Sequence, residues 1–417
     1  MGLASQALED KYQNWWRLAC IQLAGGNISF PIIAIGSQMF LSNGITNAII
    51  SSVLGNFFIL LVSLCFIRIS SEERLNAIQN IEKFFGKKTG RILAFLILVS
   101  MLGWFAAQLF AGQAILELSP VLSKINICSL IGAVASLALL FGIKGLKVLC
   151  LICTVPLLIL LGLIFAFVEP SIPNDVLAIS NRFEISISRV ISGASLVIAV
   201  FIASTVDYPT FFRHSISRKD SLIAVLLIFA VTIAIQICGI FLFSLFLVDF
   251  QTVSRLISVD SFISYTILSF IIISTVASVA WNVYAASVGW ESLFPIFKDR
   301  TEYAVLGLVA TVLFNAITIQ EPLLFFIGLF DVMICGVSGP VVFIFFATSV
   351  LKIPELFQHT GYNTLCWFVA SLIGLLTYFN IIFSRSYSTC ISMIAGFIAA
   401  CLIFGCRQVY RRFIHCK

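Results

Sequence analysis

Apolar runs of 18 or more residues recur from one end of the chain to the other, and each is long enough to cross a bilayer as a helix. Hydrophobic residues make up 60% of the 417 residues and charged residues 11%. A typical soluble domain has about 25% charged residues. No polar stretch is long enough to form a soluble domain. These features predict an all-α integral membrane protein that forms a single domain, residues 1–417, in the lipid bilayer.

We predict twelve membrane-spanning segments, at residues 14–41, 45–67, 91–117, 126–143, 146–168, 189–211, 221–248, 261–289, 303–319, 322–350, 363–383 and 388–406. With the N-terminus in the cytoplasm, only five of the 25 Lys and Arg residues fall outside: Lys124, Arg182, Arg189, Arg255 and Arg385. This bias sets orientation, so both termini are predicted to be cytoplasmic. The connection at about 212–220 is too short for the long central linker of a major-facilitator transporter.

The first segment carries residues that interrupt a helix in its middle: Gly25, Gly26, Asn27, Ser29 and Pro31. Glycine permits unusual backbone conformations and proline removes a hydrogen-bond donor. Unwound backbone at membrane depth is tolerated only where it is buried in protein or lines a cavity. In transporters such a break holds the substrate and the coupling ion. The alternative is a closely packed kink, because Gly and Pro are common in membrane helices.

The third segment places Trp104 and Gln108 four residues apart, hence on one helix face. Counted from Arg91 at about 1.5 Å per residue, Trp104 lies about 20 Å deep, near the middle of the bilayer. An indole beside an amide suits a planar heteroaromatic ligand, because one stacks and the other forms hydrogen bonds. The alternative is structural: the indole packs between helices and the amide bonds across them.

The eighth and tenth segments carry further polar candidates. Ser278 and Asn282 share a face of the eighth, and their oxygens can ligate sodium or bind a substrate. The tenth contains Asp331, followed by a second breakable stretch at 336–340. An intramembrane carboxylate is costly and therefore a functional candidate. The alternative for Asp331 is a protonated or paired side chain that braces the bundle.

The longest cytoplasmic connection follows the second segment. Its apolar residues stand at helical spacing among charged ones: Leu75, Ile78, Ile81 and Phe85. This pattern predicts a short amphipathic helix that lies against the membrane face or the bundle.

Over about residues 16–352 these features resemble the nucleobase:cation symporter family, in its branch of cytosine and hydantoin permeases. The resemblance rests on motifs in the first, second, third, sixth, eighth and tenth segments: the broken first helix, Leu54-Gly55-Asn56, Gly103-Trp104-Phe105 with Gln108, Asp207-Tyr208 followed by Arg213, Asn282-x-x-x-Ala286-Ser287-x-Gly289, and the Gly-x-Ser-Gly-Pro-Val-Val run that begins at Gly336.

The resemblance implies a LeuT-type fold: two inverted five-helix repeats, at 14–168 and 189–350, and two additional helices at 363–406. It implies that Trp104 stacks on the substrate, that Gln108 and Asn282 form hydrogen bonds with it, and that Asn27 and Ser29 lie beside it. It also implies a sodium site formed by Gly26, Asn27 and Ser278.

The chain departs from the family pattern at two positions. Val279 stands where the family usually has a second hydroxyl next to Ser278, and the expected break of the sixth helix falls on about Ile198, with no Gly or Pro beside it. Asp331 therefore remains as a proton-carrying alternative to sodium.

These observations predict a permease of the plasma (inner) membrane that carries a small planar nitrogen heterocycle, such as a nucleobase, by alternating access and in symport with sodium or protons. We expect a monomer with a small-molecule substrate, no nucleic-acid partner and no cofactor other than the ion. Alternatives are a carrier of amino acids or other small solutes in the same superfamily and a non-transporting receptor. An enzyme is disfavoured, because neither H-E-x-x-H nor G-x-G-D occurs.

Overall fold

The structure is a computed structural model that describes residues 12–117, 126–167, 185–246, 261–294, 301–316, 320–349, 352 and 360–415. In these ranges the chain forms helices and no strand. The α-helices are α1 (Trp15–Gln22), α2 (Phe30–Asn43), α3 (Ile45–Glu73), α4 (Ala77–Phe85), α5 (Lys87–Leu116), α6 (Ile127–Ala138), α7 (Ile143–Phe167), α8 (Ile187–Val206), α9 (Tyr208–Phe212), α10 (Arg218–Phe246), α11 (Ser261–Leu293), α12 (Thr301–Ala316), α13 (Gln320–Cys335), α14 (Ser338–Ser349), α15 (Thr360–Tyr378) and α16 (Ser388–His415).

The described part of the chain has nine helices that are long and apolar enough to cross a membrane, with α13 and α14 counted together as one. The bent pair α1 and α2 makes a tenth, and two shorter apolar helices lie at Ile127–Phe141 and Thr301–Ala316. Large apolar side chains cover the outer faces of these helices, among them Ile152, Val312 and Leu402, each more than 60% exposed. The prediction of an all-α membrane protein is thus confirmed. The connection between the fifth and sixth predicted segments, residues 169–188, lies largely outside the described residues.

The first segment is broken where its sequence predicts. Helix α1 ends at Gln22, and Leu23–Asn27 forms a π-helical turn. Ser29 is extended, with φ −143° and ψ 158°, and α2 then begins at Phe30 with a proline in its first turn. The two halves meet at 60°. A π turn and a proline are both recognised causes of such a sharp bend.

Two further breaks follow in the chain. Helix α8 runs through Ile198 without interruption and ends at Val206, and α9 begins at Tyr208 with Pro209 in its first turn. The break therefore lies at Asp207, whose Oδ1 accepts a hydrogen bond of 2.7 Å from the Thr210 hydroxyl. The other break separates α13 from α14 at residues 336–337, within the stretch predicted to be breakable.

The helices pack in exchanged pairs. Helix α2 lies along α10, and α3 lies along α8. Helix α5 lies along α11 at the centre, while α13 packs on α5 as α7 packs on α11. Two halves related by a two-fold axis in the membrane plane have this pattern of contacts, because the axis exchanges the members of each pair.

The predicted amphipathic helix is α4. It begins with a capping box formed by Asn76 and Gln79, and it buries its apolar side chains against the bundle. Helix α15 holds its C-terminal end, since Asn363 donates to the Phe84 carbonyl at 2.8 Å and Thr364 to the Phe85 carbonyl at 2.7 Å. Helix α4 therefore links α15 to α5. It lies at the same end of the bundle as Gln13.

Candidate functional site

A cavity of about 90 Å³, the inner cavity, lies at the break of the first segment. It is lined by the π turn and by residues of α1, α2, α5, α8 and α11. Five of the candidate residues line it: Gly26, Asn27, Trp104, Gln108 and Asn282. The structure thus brings an indole, three amides and free backbone to one small space between four transmembrane segments.

The two glycines of the π turn have opposite surroundings. A Cβ added to Gly25 would lie 2.3 Å from Cδ1 of Trp281, which is too close for any side chain. A Cβ added to Gly26 would meet nothing within 4 Å, so Gly26 faces open space. Gly25 therefore allows Trp281 of α11 to close against the turn, while Gly26 leaves the cavity open.

The indole of Trp104 is hydrogen-bonded to the carboxylate of Asp331. Its Nε1 donates a hydrogen bond of 3.0 Å to Oδ2 of Asp331, and the Ser100 hydroxyl donates to Oδ1 at 2.5 Å. Asp331 is 5% exposed and does not line the inner cavity. This arrangement fixes the plane of the indole that forms one wall of the cavity.

The hydroxyl of Ser29 donates to the Gly26 carbonyl at 2.9 Å, and that of Ser278 donates to the carbonyls of Ser274 and Thr275 at 2.9 and 3.2 Å. Both serines are buried, and neither belongs to the lining of the inner cavity. Asn27 lines the cavity, but its Nδ2 donates to Thr232 of α10 at 2.7 Å. It therefore ties the π turn to α10.

Two residues that line the inner cavity were not predicted from the sequence. Gln22, the last residue of α1, and Trp281 both line the inner cavity, and both are buried. Among the described residues, neither Nε2 of Gln22 nor Nε1 of Trp281 has a hydrogen-bond partner. A buried donor without a partner costs about 1–3 kcal/mol. For Gln22 the sequence did offer a signal, because an amide side chain stands in an apolar segment close to the predicted helix break.

Aromatic side chains close the cavity on the side of α9. The rings of Phe211 and Trp281 stack with centroids 4.9 Å apart and an interplanar angle of 11°, and Tyr284 packs on Phe211 at 5.5 Å. Beyond these rings, Gln13 pairs with the chain that follows α9. Its backbone N–H donates to the His214 carbonyl at 2.6 Å, and its carbonyl accepts from the backbone N–H of Ile216 at 3.0 Å. The end of the bundle that contains α9 and Gln13 is called the lower end.

A larger cavity, about 540 Å³ in volume, lies toward the opposite end. We call it the upper cavity. It shares Trp104 and Val200 with the inner cavity. Asp331 lies in its wall together with Tyr378 at the end of α15 and Arg385 in the turn before α16. Trp104 therefore separates two adjacent spaces, and its carboxylate partner belongs to the upper one.

No family model matches the chain, and no curated protein matches it. Solved structures of transporters are similar to it. Mhp1, a nucleobase-cation-symport-1 family transporter, in a closed conformation with bromovinylhydantoin bound, matches with a TM-score of 0.70 and 15% identity over 96% of this chain and 94% of its own. Mhp1 in its inward-facing conformation matches with a TM-score of 0.61 and 15% identity over 96% and 93%.

A Na⁺-coupled sialic acid symporter, in a substrate-bound outward-open state, matches with a TM-score of 0.67 and 14% identity over 94% of this chain and 89% of its own. These neighbours are transporters, and the match extends over nearly the whole of each chain. The chain therefore has the LeuT-type fold that it shares with Mhp1 and with the sialic acid symporter.

Proposed function

We propose that this protein is a secondary active transporter for a small planar nitrogen heterocycle, of the nucleobase or hydantoin type. The observation that carries the proposal is the inner cavity, where Trp104, Gln108 and Asn282 line one space beside a broken helix. Substrates of transporters with broken helices lie at such breaks. The similar fold of Mhp1, determined with a hydantoin derivative bound, supports the same substrate class.

The lining groups suit a ring with nitrogen and carbonyl groups in its plane. Trp104 presents an indole whose orientation is fixed by Asp331, so a planar ligand can stack on it. Gln108 and Asn282 each offer one acceptor and two donors in the amide. Gln22 and Trp281 add N–H donors without partners among the described residues, which carbonyl groups of a ligand would satisfy. An aliphatic substrate would leave the indole face unused.

We propose sodium as the coupling ion, held by backbone carbonyls of the π turn near Gly26 and Asn27 together with Ser278. Helix α11 packs on the π turn. The Ser278 hydroxyl donates to its own helix and keeps a lone pair for a cation. Oxygen ligands of this kind suit a hard cation. The sodium-coupled sialic acid symporter with the same fold supports this choice. A proton carried by Asp331 is the alternative.

We propose twelve crossings, the ten apolar spans and the two shorter helices, arranged as inverted repeats at 14–168 and 189–350 with two further helices. The excess of Lys and Arg on one side supports cytoplasmic termini in a plasma membrane, and the lower end then faces the cytoplasm. The stacked aromatics at that end support an inward-closed state. We propose a monomer as the transporting unit.

The test is binding and uptake by the purified protein. Nucleobases, hydantoins and aliphatic amino acids are titrated calorimetrically with and without sodium, and those that bind are tested for uptake into proteoliposomes under sodium and pH gradients. We expect a planar heterocycle to bind with sodium-dependent affinity and an amino acid not to bind. Ser278→Ala should weaken the sodium-dependent binding at least tenfold, or about 1.4 kcal/mol. Uptake that ignores both gradients would exclude either form of coupling.

A further inference from the structure

The upper cavity has polar side chains in its lining, unlike the apolar outer faces of the bundle. Hydroxyl and amide side chains from four helices line it, among them Gln38, Ser42, Ser192, Ser388 and Thr389. At about 540 Å³ it lies within the size range of sites for small organic ligands. It is thus a candidate site in its own right, separated from the inner cavity by Trp104.

Among the described residues that line the upper cavity, Arg385 is the one cation, and several contacts fix it in place. The backbone N–H of Arg385 donates to Oδ1 of Asn380 at 2.7 Å, and its Nη2 donates to the hydroxyl of Tyr378. Its guanidinium lies 4.1 Å from the ring centroid of Tyr378 and 5.2 Å from that of Phe325. Tyr378 is held in turn, since its hydroxyl donates to the Phe325 carbonyl at 2.7 Å. Stacking and hydrogen bonds therefore orient the guanidinium before any ligand arrives.

This cation has spare binding capacity. A guanidinium carries five N–H donors, and one is used on Tyr378. Among the described residues no carboxylate lies within 4.0 Å of Arg385. The remaining donors form a planar fork that matches the two oxygens of a carboxylate. The aromatic rings beside it offer a surface for a flat ligand.

The buried end of the upper cavity, its floor, contains an acidic side chain, Asp331. Tyr378 packs on Gly328 of α13, since a Cβ at that glycine would lie 2.7 Å from the tyrosine hydroxyl. Asp331 follows one turn later and accepts the hydrogen bonds of Ser100 and Trp104. A carboxylate ligand is attracted to Arg385 at the mouth and repelled by an ionised Asp331 at the floor. The two groups would thus keep an anion above Trp104.

We propose that the upper cavity is a second binding site, for a small planar organic carboxylate that is held by Arg385 above Trp104. The site differs from the inner cavity in ligand charge: the inner cavity offers amides and an indole to a heterocycle, whereas the upper one offers a guanidinium. The proposal does not depend on the identity of the transported heterocycle.

The test compares benzoate with benzamide, which have nearly the same shape and differ in charge. Both are titrated calorimetrically into the purified full chain at low ionic strength. We expect benzoate to bind at least tenfold more tightly than benzamide. Arg385→Gln should remove this preference. Arg385→Lys should keep part of it, because the charge stays and the planar fork is lost.

Arg189→Gln is the matched control, because Arg189 lies in the first turn of α8 at the same end of the bundle, is exposed and does not line the cavity. It should leave the preference for benzoate unchanged. Thermal unfolding of each variant verifies folding. If Arg385→Gln does not fold, Arg385→Lys and Tyr378→Phe carry the comparison, and each should weaken benzoate binding several-fold.

Gln108→Leu locates the bound anion. Since Gln108 lines only the inner cavity, this variant should bind benzoate as the unmodified chain does. Benzoate binding that is lost in Gln108→Leu, or that survives unchanged in Arg385→Gln, would overturn the proposal. Titration of heterocycles on the same samples separates the two proposals: benzoate binding that depends on Arg385, without any heterocycle binding, would support the upper site and refute the inner one.

Discussion

The indole N–H of Trp104, the side chain that separates the two cavities, donates a 3.0 Å hydrogen bond to the carboxylate of Asp331. Trp104 lines both cavities, whereas Asp331 lines only the upper one. A change in the protonation of Asp331 therefore alters the hydrogen bond that orients the ring between the two cavities. This contact links a titratable group to the candidate substrate site without placing the carboxylate on the substrate.

The role of Trp104 as a stacking surface is tested by its removal. Stacking of a base on an aromatic side chain contributes about 1–3 kcal/mol in nucleic-acid sites. We therefore expect Trp104→Ala to weaken heterocycle binding by about 5- to 150-fold, and Trp104→Phe to keep part of the affinity because a ring remains. Trp16→Ala, at an exposed position outside both cavities, serves as the control. Unchanged affinity in Trp104→Ala would mean that the indole only fills space.

Asp331→Asn distinguishes the two coupling schemes. If Asp331 carries the proton, the variant should lose accumulation driven by a pH gradient and keep exchange of internal for external substrate, because binding no longer depends on protonation. If sodium is the coupling ion, accumulation driven by sodium should persist. Uptake and counterflow in proteoliposomes provide both measurements. Glu117→Gln, which changes an exposed carboxylate at the end of α5, should alter neither.

Several elements of the site could be predicted from local sequence. Glycine, asparagine and proline together marked the break of the first helix, because their effect on the backbone is local. The four-residue spacing of Trp104 and Gln108 placed them on one face, and both line the inner cavity. The break after α8 was not predicted at Asp207, although Pro209 has no backbone N–H with which to continue α8 and is well tolerated in the first turn of a new helix.

Gln22 and Trp281 could not be found by helical spacing alone. A π turn forms i to i+5 hydrogen bonds, so Leu23–Asn27 rotates every later residue of the segment relative to α1. The face on which Gln22 lies relative to Gly26 therefore depends on a turn that the sequence does not specify. Trp281 lies in the cavity only because α11 approaches Gly25 closely, which is a tertiary contact.

A pair of tryptophans provides a test of the unpaired donor in the site. Trp281 has a buried Nε1 without a partner among the described residues, whereas Nε1 of Trp367 donates to the Met333 carbonyl at 2.9 Å, outside both cavities. We expect Trp281→Phe to weaken ligand binding about tenfold. Trp367→Phe should instead lower the stability of the empty protein, by about 1 kcal/mol, because it removes the indole hydrogen bond and leaves the Met333 carbonyl only the 3.5 Å hydrogen bond from the Ser371 hydroxyl.

Calorimetric titration and thermal unfolding separate these two effects. The interpretation of Trp281 as a ligand-binding donor would be abandoned if Trp281→Phe bound the ligand with unchanged affinity. A loss of binding in Trp367→Phe would show that the titration reports general destabilisation.

The two glycines of the π turn offer a matched pair of single-methyl substitutions. Neither has a positive φ, so alanine causes no backbone strain at either position. In Gly25→Ala the new methyl would overlap Trp281, and the resulting displacement should cost about 1–3 kcal/mol, as overpacked cores do. In Gly26→Ala the methyl enters open space, so the unfolding temperature should stay close to that of the unmodified chain.

Because that space is the inner cavity, Gly26→Ala should still weaken heterocycle binding. Unfolding and titration of both variants give four readings, and equal destabilisation by the two alanines would contradict the placement of Trp281 against the turn.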